Sequence, residues 1–347
     1  MKAAMLADVG QMKVQDVPEP QCGPGDVVVK VKVCTICGTD LKIYQYGHRK
    51  IKLPAVLGHE IAGVVSEVGE SVEGFSVGDR VSLSPSGRGC GECYYCRADQ
   101  EWLCTNYRGL AGKGGFAESV LIPEQIVSNG NLHHIPDHLS FELAALTEPL
   151  ACILNTHEHL KIEKGTSVAI IGAGPIGIMH AQVCRSVGAD PLFISDISDE
   201  RLGLVPGDLG ARLINGSRED AVEAVIGGTK GIGADVVIVA APVPVAQQQS
   251  LELVRGGGVV SFFAGLPVGT TEVPLDTNKI HYRQIFVFGT SNAGVEHSRK
   301  ALKMLAEGAI DGNHVITHTY PLADTVEAFE AAGRQIGLKV AITAGES

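Results

Sequence analysis

The 347-residue sequence has no apolar run near the roughly 20 residues that a membrane-spanning helix needs. Its start reaches Asp8 before any apolar stretch of signal length, so neither a secretory signal nor a membrane anchor is expected. Positive charge is also scarce, because 28 Lys and Arg face 39 Asp and Glu, for a net charge of −11. This balance argues against nucleic acid or an anionic membrane as a partner. No internal repeat and no low-complexity tract is present.

The cysteine content does not fit a secreted disulfide framework, because nine is an odd number. Four of the nine lie within the 15 residues from Cys90 to Cys104. Such crowding favours metal-bound thiolates in a reducing compartment. The sequence therefore predicts a cytoplasmic protein.

The hydrophobic pattern changes along the chain, and its length suits two domains. Up to about residue 136, short and partly alternating β-branched runs lie between Gly and Pro turns, which is typical of an all-β barrel. From residue 167, continuous apolar strands alternate with helix-length gaps, the βαβ rhythm of a parallel, doubly wound sheet. An amphipathic helix is predicted over residues 295–307, and a closing strand over 338–342.

Cys37, His59 and Glu60 offer a thiolate, an imidazole and a carboxylate within one short span. Three protein ligands with a fourth position left open are typical of a catalytic zinc, whereas four protein ligands are typical of a structural one. We interpret these three residues as ligands of a catalytic metal. The alternative is that Cys37 and His59 are core residues that are close only in sequence.

Cys90, Cys93, Cys96 and Cys104 are separated by two, two and seven residues. Four thiolates at this spacing can close a tetrahedron around zinc and leave no open position, so we predict a structural zinc. An iron–sulfur cluster is the alternative, although nothing else in the chain indicates electron transfer. The remaining cysteines are interpreted as small, buried apolar side chains: Cys22, Cys34, Cys152 and Cys184.

The segment Gly172-Ala173-Gly174-Pro175-Ile176-Gly177 follows a predicted strand and opens a predicted helix. In this context the three glycines allow a tight turn, close approach of the backbone to a pyrophosphate, and close packing of helix on strand. The helix N-terminus then presents its partial positive charge to the phosphates. The segment predicts a dinucleotide-binding turn.

Asp196 lies 19 residues after Gly177, at the end of the next predicted strand. A carboxylate there can accept hydrogen bonds from both ribose hydroxyls and repels a 2′-phosphate, so we predict NAD rather than NADP. Arg201 weakens this prediction, because a guanidinium near the ribose can accommodate the 2′-phosphate of NADP. The alternative is an acid that only caps a strand-to-helix turn.

Together these motifs resemble the zinc-dependent medium-chain alcohol dehydrogenase family, and within it the sorbitol (polyol) dehydrogenase branch. The resemblance covers essentially the whole chain and includes Thr-Glu-Pro at 147–149. It implies a GroES-like catalytic domain of residues 1–151 and 290–347, with a structural zinc lobe at about 88–106. It also implies a Rossmann NAD-binding domain of residues 152–289, an active site in the cleft between the domains, and a homo-oligomer, either a dimer or a tetramer.

The resemblance further implies two zinc ions per chain and several site residues. Glu148 would contact the catalytic metal or its water. Because Glu148 precedes Pro149, we predict that it lies outside regular helix with its side chain aimed at the cleft; the alternative is an acid on a helix surface. Ala264 and Thr290 would contact the cofactor.

The implied chemistry is transfer of a hydride from an alcohol carbon to nicotinamide, with zinc as a Lewis acid that lowers the pKa of the hydroxyl. Thr39, two residues after Cys37, is predicted to begin a proton relay; the alternative is an ordinary strand or turn threonine. Relatives often carry His three residues further on, where this chain has Lys42. Lys42, Tyr44, His48 or water can take that role.

Three functions are compatible with the sequence. The leading one is NAD-dependent oxidation of a secondary alcohol in a polyol, cyclitol or sugar derivative. L-Threonine 3-dehydrogenase is the second, but residues 289–294, Gly-Thr-Ser-Asn-Ala-Gly, do not resemble the aromatic, Met-containing stretch of that branch. The third is a catalytically silent NAD- and zinc-binding protein with a structural or sensing role, which retention of the open metal site argues against.

Overall fold

The computed structural model describes residues 1–48, 51–84, 89–106, 109–110, 112–270 and 272–344. The first residue of the predicted zinc lobe, 88, lies outside these ranges. Two compact units are present, the first made of Met1–Ala151, Asn292–Gly308 and Ile316–Ser347, the second of Cys152–Ser291 and Ala309–Val315. None of the helices in the described ranges has the length and apolar character needed to cross a membrane.

The first part of the chain is dominated by short strands. These are β1 (Lys2–Asp8), β2 (Gln11–Asp16), β3 (Val27–Thr35), β4 (Ala55–Val56), β5 (Glu60–Val68), β6 (Arg80–Leu83), β7 (Ser119–Ile122) and β8 (Leu132–His134). The helices of this part are α1 (Gly38–Tyr46), α2 (Tyr94–Arg97), α3 (Glu124–Ser128), α4 (Phe141–Ala145) and α5 (Thr147–Leu160). Helix α1 interrupts a region that the sequence predicts to be all-β.

The middle of the chain alternates strand and helix. Its strands are β9 (Val168–Ile171), β10 (Leu192–Asp196), β11 (Arg212–Asn215), β12 (Ala234–Val239), β13 (Val254–Phe262) and β14 (Phe286–Phe288). Its helices are α6 (Pro175–Ser186), α7 (Asp199–Gly203), α8 (Ala221–Gly228), α9 (Pro244–Leu253) and α10 (Thr277–Tyr282). The closing elements are α11 (Val295–Ala306), β15 (Ile316–Pro321), α12 (Thr325–Gly333) and β16 (Lys339–Thr343).

The first unit is built on a seven-stranded sheet in the order β15-β16-β3-β5-β6-β8, with β7 also pairing with β3. Strand β16 pairs antiparallel with β3, which places Ala341 opposite Thr35, and β3 pairs antiparallel with β5, which places Thr35 opposite Glu60. The underlying core includes the fully buried rings of Phe116 and Phe329. The last strand of the chain therefore lies beside the strand that leads into the Cys37 segment.

The second unit is a six-stranded sheet in the order β11-β10-β9-β12-β13-β14, and each neighbouring pair is parallel. All four residues of β9 are buried, as expected for a central strand covered on both faces. The strand order reverses between β9 and β12, and the carboxyl ends of the strands at such a reversal are the usual ligand position in open parallel sheets. The predicted fold class, a GroES-like β domain plus a doubly wound parallel sheet, is confirmed.

Two histidines, His180 and His133, are buried. His180 on α6 is 0% exposed, accepts or donates one hydrogen bond with His157 at 3.1 Å, and meets the edge of Phe263 at 4.7 Å between ring centroids. Burial, followed by the charge of His157, holds the pKa of His180 well below its usual range. In the first unit, burial and then Arg299 lower the pKa of His133 to about 4.

Acid should destabilise the protein through these two rings. Both have lower pKa values folded than unfolded, so their contribution is complete above pH 6.5 and is lost as pH falls. For His133 the loss is about 1.4 kcal/mol per pH unit between pH 6.5 and about 4, and for His180 it has the same sign. In urea titrations, His180→Leu should lose less unfolding free energy between pH 6.5 and 5 than the wild-type protein does. His281→Leu, on an exposed ring, is the control, and an unchanged pH slope in His180→Leu contradicts the prediction.

Candidate active site and metal centres

Asp40 joins the two segments that carry the predicted catalytic ligands. Cys37 immediately precedes α1, and its backbone N–H donates to Asp40 Oδ2 at 2.9 Å, as in the reciprocal half of a capping box. The other carboxylate oxygen, Oδ1, accepts from the N–H of Gly58 at 3.1 Å and lies 3.4 Å from His59 Nδ1. Asp40 itself is 1% exposed. One buried carboxylate therefore fixes both Cys37 and His59.

The electrostatics of His59 follow from these neighbours. Burial lowers the pKa of His59, but Asp40 and then Cys37 raise it more strongly, and the net pKa lies well above the usual value. With Nδ1 facing Asp40, Nε2 is the ring nitrogen left for a metal. A carboxylate that orients a metal-binding histidine in this way also raises the basicity of the ring.

Glu60 is the first residue of β5 and is completely buried. Lys339 Nζ donates to both of its oxygens, at 2.8 Å and 2.7 Å, and Thr35 Oγ1 donates to Oε2. Burial raises the pKa of Glu60, and the charge of Lys339 opposes this increase. Burial likewise lowers the pKa of Lys339, but Glu60 raises it, so the net pKa of Lys339 is above its usual value. The two groups are held as a buried ion pair.

The structure brings the three predicted catalytic ligands together. The sulfur of Cys37, a ring nitrogen of His59 and a carboxylate oxygen of Glu60 all lie within 4.8 Å of one another. Sulfur, imidazole nitrogen and carboxylate oxygen are all donors that zinc accepts, and three of them leave the fourth position of a tetrahedron open. The donor set and its spacing therefore fit a catalytic zinc.

Glu148 does not belong to this group of three ligand atoms. It is 5% exposed, and its charge acts on both Glu60 and Lys339. The prediction that Glu148 lies outside regular helix is wrong, since Thr147–Leu160 is one helix. The physical reason is that Pro149 falls in the first turn, where its missing N–H breaks no helical hydrogen bond. Nor is it an acid on a helix surface, because it is buried.

The candidates for proton transfer lie along α1. Thr39 is exposed on this helix and not on a strand or turn as the alternative interpretation held. Lys42 is half-buried, and burial lowers its pKa, an effect that Cys37 opposes. The hydroxyl of Tyr44 donates to the carbonyl of Gly10 at 3.2 Å, which gives that ring a structural role. His48 is exposed at the end of the segment.

The four cysteines of the predicted lobe also converge. Cys93 Sγ lies 3.4 Å from Cys96 Sγ and 3.9 Å from Cys104 Sγ, and Cys90 Sγ lies 3.9 Å from Cys96 Sγ. Thiolates bound to one zinc at about 2.3 Å are about 3.8 Å apart. Backbone N–H groups donate to the sulfurs, and donation from Cys96 lowers the pKa of Cys93 to about 6, whereas burial raises that of Cys96 to about 12. The lobe fits a closed, structural zinc site.

The remaining cysteines lie outside both ligand groups. Cys34 and Cys184 are buried, as the sequence predicts. Cys22 and Cys152 are only half-buried, so the prediction of a buried apolar role is wrong for these two. No disulfide forms among the described cysteines.

The glycine turn lies between β9 and α6, at the carboxyl end of the central strand. Gly172 has φ +111°, a conformation that favours glycine. A Cβ on Gly177 would overlap the carbonyl oxygen of Gly172, so the helix can approach the strand only without a side chain there. Pro175 and Ile176 form the first turn of α6.

The other predicted cofactor residues lie at the same edge of the sheet. Asp196 ends β10, and its Oδ2 accepts from the N–H of Ala173, within the glycine turn, at 2.8 Å. Ala264 follows β13, and Thr290 follows β14. An Arg201 nitrogen would lie 3.7 Å from a Cβ placed on Gly174, so this guanidinium also faces the turn. The carboxyl ends of four parallel strands thus bring the predicted cofactor residues together.

Comparison with known proteins agrees with this geometry. Residues 23–137 match the alcohol dehydrogenase GroES-like domain, and residues 175–307 match the zinc-binding dehydrogenase family. The chain is 33% identical to a sorbitol dehydrogenase of Bacillus subtilis, over 96% of this chain and 93% of the relative. It is 35% identical to an L-threonine 3-dehydrogenase of Aeromonas salmonicida, over 95% and 94%. The chain belongs to the zinc-dependent medium-chain alcohol dehydrogenase family.

Solved structures agree with this membership. The crystal structure of 2R,3R-butanediol dehydrogenase from Bacillus subtilis has a TM-score of 0.88 and 29% identity, with 99% of each chain covered. The resemblance inferred from the motifs is therefore confirmed, as are the predicted enzyme class and cofactors. This medium-chain dehydrogenase is a zinc- and NAD-dependent oxidoreductase that acts on CH–OH groups.

Three site residues were missed from the sequence: Asp40, Thr35 and Lys339. Asp40 carried a usable signal, because an acid three residues after Cys37 at a helix start is a capping position. Thr35 could have been found from the register of β3 and β5. Lys339 had no such signal, because 279 positions separate it from Glu60.

Replacing Asp40 should weaken metal binding at the catalytic site without removing a ligand. In Asp40→Ala, His59 loses the partner of Nδ1, and zinc affinity should fall about 10-fold to 100-fold. Chelator competition monitored by zinc release measures this, and the metal of the four-cysteine lobe should be retained. Asp8→Ala, on an exposed residue, is the control. Equal zinc affinity in Asp40→Ala and wild type would mean that Asp40 does not support the site.

Proposed function

We propose that this dehydrogenase oxidises a secondary alcohol of a polyol, cyclitol or sugar derivative to the ketone, and transfers the hydride to NAD. The observation that carries the proposal is the convergence of Cys37, His59 and Glu60 atoms within 4.8 Å. Bound there, zinc supplies Lewis acidity that lowers the pKa of a hydroxyl. We propose these three residues as its ligands, with Glu148 acting beside them, and the four cysteines of the lobe as ligands of the structural zinc.

The surrounding residues keep this site in one arrangement. Asp40 orients His59, while Lys339 and Thr35 hold the Glu60 carboxylate from two sides. Since Glu60 is 0% exposed and Lys339 4% exposed, little water can compete for their hydrogen bonds. Such preorganisation means that the side chains need little rearrangement when substrate enters.

Proton transfer is assigned to α1, which begins next to Cys37. Thr39 and Lys42 are three residues apart on this helix and therefore share a face. We propose that Thr39 takes the substrate proton first, with Lys42 or water as the next acceptor. Tyr44 is excluded from the relay because its hydroxyl donates to Gly10.

We assign the nucleotide to the carboxyl edge of the parallel sheet, where the glycine turn, Asp196, Arg201, Ala264 and Thr290 are found. The acceptor position of Asp196 beside the turn supports NAD over NADP.

Asp196→Ser should remove the repulsion of a 2′-phosphate and raise kcat/KM for NADP relative to NAD about 10-fold or more. Asp199→Ser, a nearby exposed acid, is the control. An unchanged NADP/NAD ratio would count against the assignment.

A polyol is preferred over L-threonine on chemical grounds. Threonine carries an ammonium and a carboxylate, whereas residues 289–294 offer only small and hydroxyl or amide side chains. Those side chains match hydroxyl groups and provide no charge for a zwitterion. Sorbitol and 2R,3R-butanediol, the compounds in two relatives' names, are both vicinal diols. The similar identity to L-threonine 3-dehydrogenases keeps threonine as the second candidate.

A substrate panel tests the proposal. Sorbitol, other polyols, inositols, 2R,3R-butanediol, their phosphates and L-threonine are offered with NAD, and NADH formation is followed at 340 nm. We expect turnover of polyols, two zinc ions per chain and loss of activity with chelator. Turnover of threonine alone, or activity indifferent to chelation, overturns the substrate or the metal assignment respectively.

We assign the first unit to catalysis and the second to nucleotide binding. We also propose a homo-oligomer, a dimer or tetramer as the resemblance implies, and a cytoplasmic location, which is supported by the lack of disulfides among the described cysteines. Analytical ultracentrifugation tests the oligomeric state, and a monomer at micromolar concentration contradicts it.

A further inference from the structure

The four-cysteine lobe holds the chain segment that leads into α11. Asn292 Nδ2 donates to the backbone oxygen of Trp102 at 3.2 Å, and the N–H of Val295 donates to Glu101 Oε1 at 3.4 Å. The Trp102 ring meets the His297 ring edge to face, with 5.3 Å between centroids. The Glu101 carboxylate therefore lies at the N-terminus of a 12-residue helix, where negative charge is favoured.

The fit at this contact depends on two unusual positions. A Cβ on Gly294 would collide with the Glu101 carboxylate and approach the Trp102 ring to 3.2 Å, so the lobe packs directly on backbone. Asn292 has φ +62°, a conformation that asparagine tolerates better than most residues. The missing side chain at Gly294 and the positive φ of Asn292 therefore both allow the segment to pack closely against the lobe.

The cysteines fix the two residues that make these contacts. Glu101 and Trp102 form a 3₁₀ turn that ends next to Cys104, whose N–H donates to the carbonyl of Glu101 at 3.0 Å. A Cβ placed on Gly89 would lie 3.0 Å from Cys96 Sγ and 3.1 Å from Glu101 Cβ, so Gly89 packs closely against both residues. Closing the four sulfurs around a metal thus sets the place of Glu101 and Trp102.

The other end of the same segment carries a proposed cofactor residue. Thr290 lies two residues before Asn292, and its hydroxyl shares a short hydrogen bond with the hydroxyl of Thr156 on α5. The chain passes from the second unit into the first between Ser291 and Asn292. Thr290 is therefore bonded to Thr156 and is followed two residues later by Asn292, which is bonded to the lobe.

We infer that Glu101 and Trp102 are positioning residues for NAD(H), which act through the segment 290–295. The four-cysteine site then does more than stabilise the fold: its metal keeps the lobe closed, and the closed lobe keeps Thr290 in place for the cofactor. This inference rests on the proposed cofactor role of Thr290.

The test uses the zinc-loaded enzyme and NADH itself. Glu101→Ala removes the acceptor for Val295, while Glu101→Gln keeps an oxygen at the same place. We expect Kd for NADH, from fluorescence titration, to rise about five-fold to tenfold in Glu101→Ala and to stay near wild type in Glu101→Gln. Hydrogen exchange of residues 289–298 should accelerate in Glu101→Ala alone. Glu92→Ala, an exposed acid of the same lobe, is the matched control.

A second variant tests the contact from outside the lobe. Asn292→Asp keeps the size and the tolerance of positive φ but removes the amide donor to Trp102, and it should weaken NADH binding by a similar factor with two zinc ions retained. Unchanged NADH affinity in both Glu101→Ala and Asn292→Asp overturns the inference. Wild-type enzyme that fails to bind NADH overturns the cofactor assignment instead, and failure of the polyol panel leaves this NADH test unaffected.

Discussion

Lys339→Met is expected to lower the free energy of unfolding by about 3–5 kcal/mol. The substitution leaves Glu60 at 0% exposure without its cation, and Thr35 alone cannot replace two charge-assisted hydrogen bonds. The pKa of Glu60, already raised by burial, should rise further because the opposing charge of Lys339 is gone. Urea denaturation at pH 7 measures the loss. Activity should fall as well, because protonated Glu60 is a poor metal ligand.

The double variant Glu60→Gln with Lys339→Met separates the ion pair from packing. Removing both charges should recover much of the lost stability, while activity stays low because the carboxylate ligand is absent. Lys303→Met, which breaks an exposed pair with Glu307, should cost less than about 1 kcal/mol. A single Lys339→Met variant as stable as wild type would show that Glu60 is not held in the folded protein as a charged partner of Lys339.

Cys37→Ala is expected to lose activity, whereas Cys93→Ala is expected to lose stability. Cys37→Ala should reduce kcat/KM at least about 10³-fold, because Lewis acid catalysis supplies several kcal/mol. Its fold should be retained, since Cys37 lies at a helix start outside the hydrophobic core. Cys93→Ala should instead unfold the lobe or make the protein insoluble, because a structural zinc contributes folding free energy.

Zinc stoichiometry and circular dichroism distinguish these two outcomes. Each variant should lose one zinc ion per chain, but only Cys93→Ala should lose stability. Cys22→Ala, at a cysteine that belongs to neither ligand group, is the control for cysteine substitution as such. If Cys37→Ala unfolds while Cys93→Ala is folded but inactive, the two metal sites have been exchanged.

The sequence was sufficient where a local pattern determines the structure. The apolar run before Gly172 predicted a buried strand, and the helix predicted to open after the glycine turn is α6, Pro175–Ser186. The predicted amphipathic helix at 295–307 is found at Val295–Ala306. Short spacing also predicted the convergence of the four cysteines, because a turn of a few residues brings such side chains together.

Longer-range features were not accessible from local patterns. The Glu60–Lys339 pair depends on β16 lying beside β3, which no nearby residue indicates. Helix α1 was missed because its nine residues mix apolar and polar side chains with little helical periodicity. Pro149 misled the prediction for Glu148, since the effect of proline depends on whether it falls in the first turn or the interior of a helix.

The pairing of β16 with β3 also constrains how the protein is made. During synthesis the ribosome releases β3 long before β16, and all of the second unit emerges in between. Glu60 is therefore synthesised long before Lys339, and the second unit is translated, and can fold, before this ion pair can form. Nascent chains stalled before residue 339 should therefore contain a protease-resistant second unit before they acquire a protease-resistant first unit.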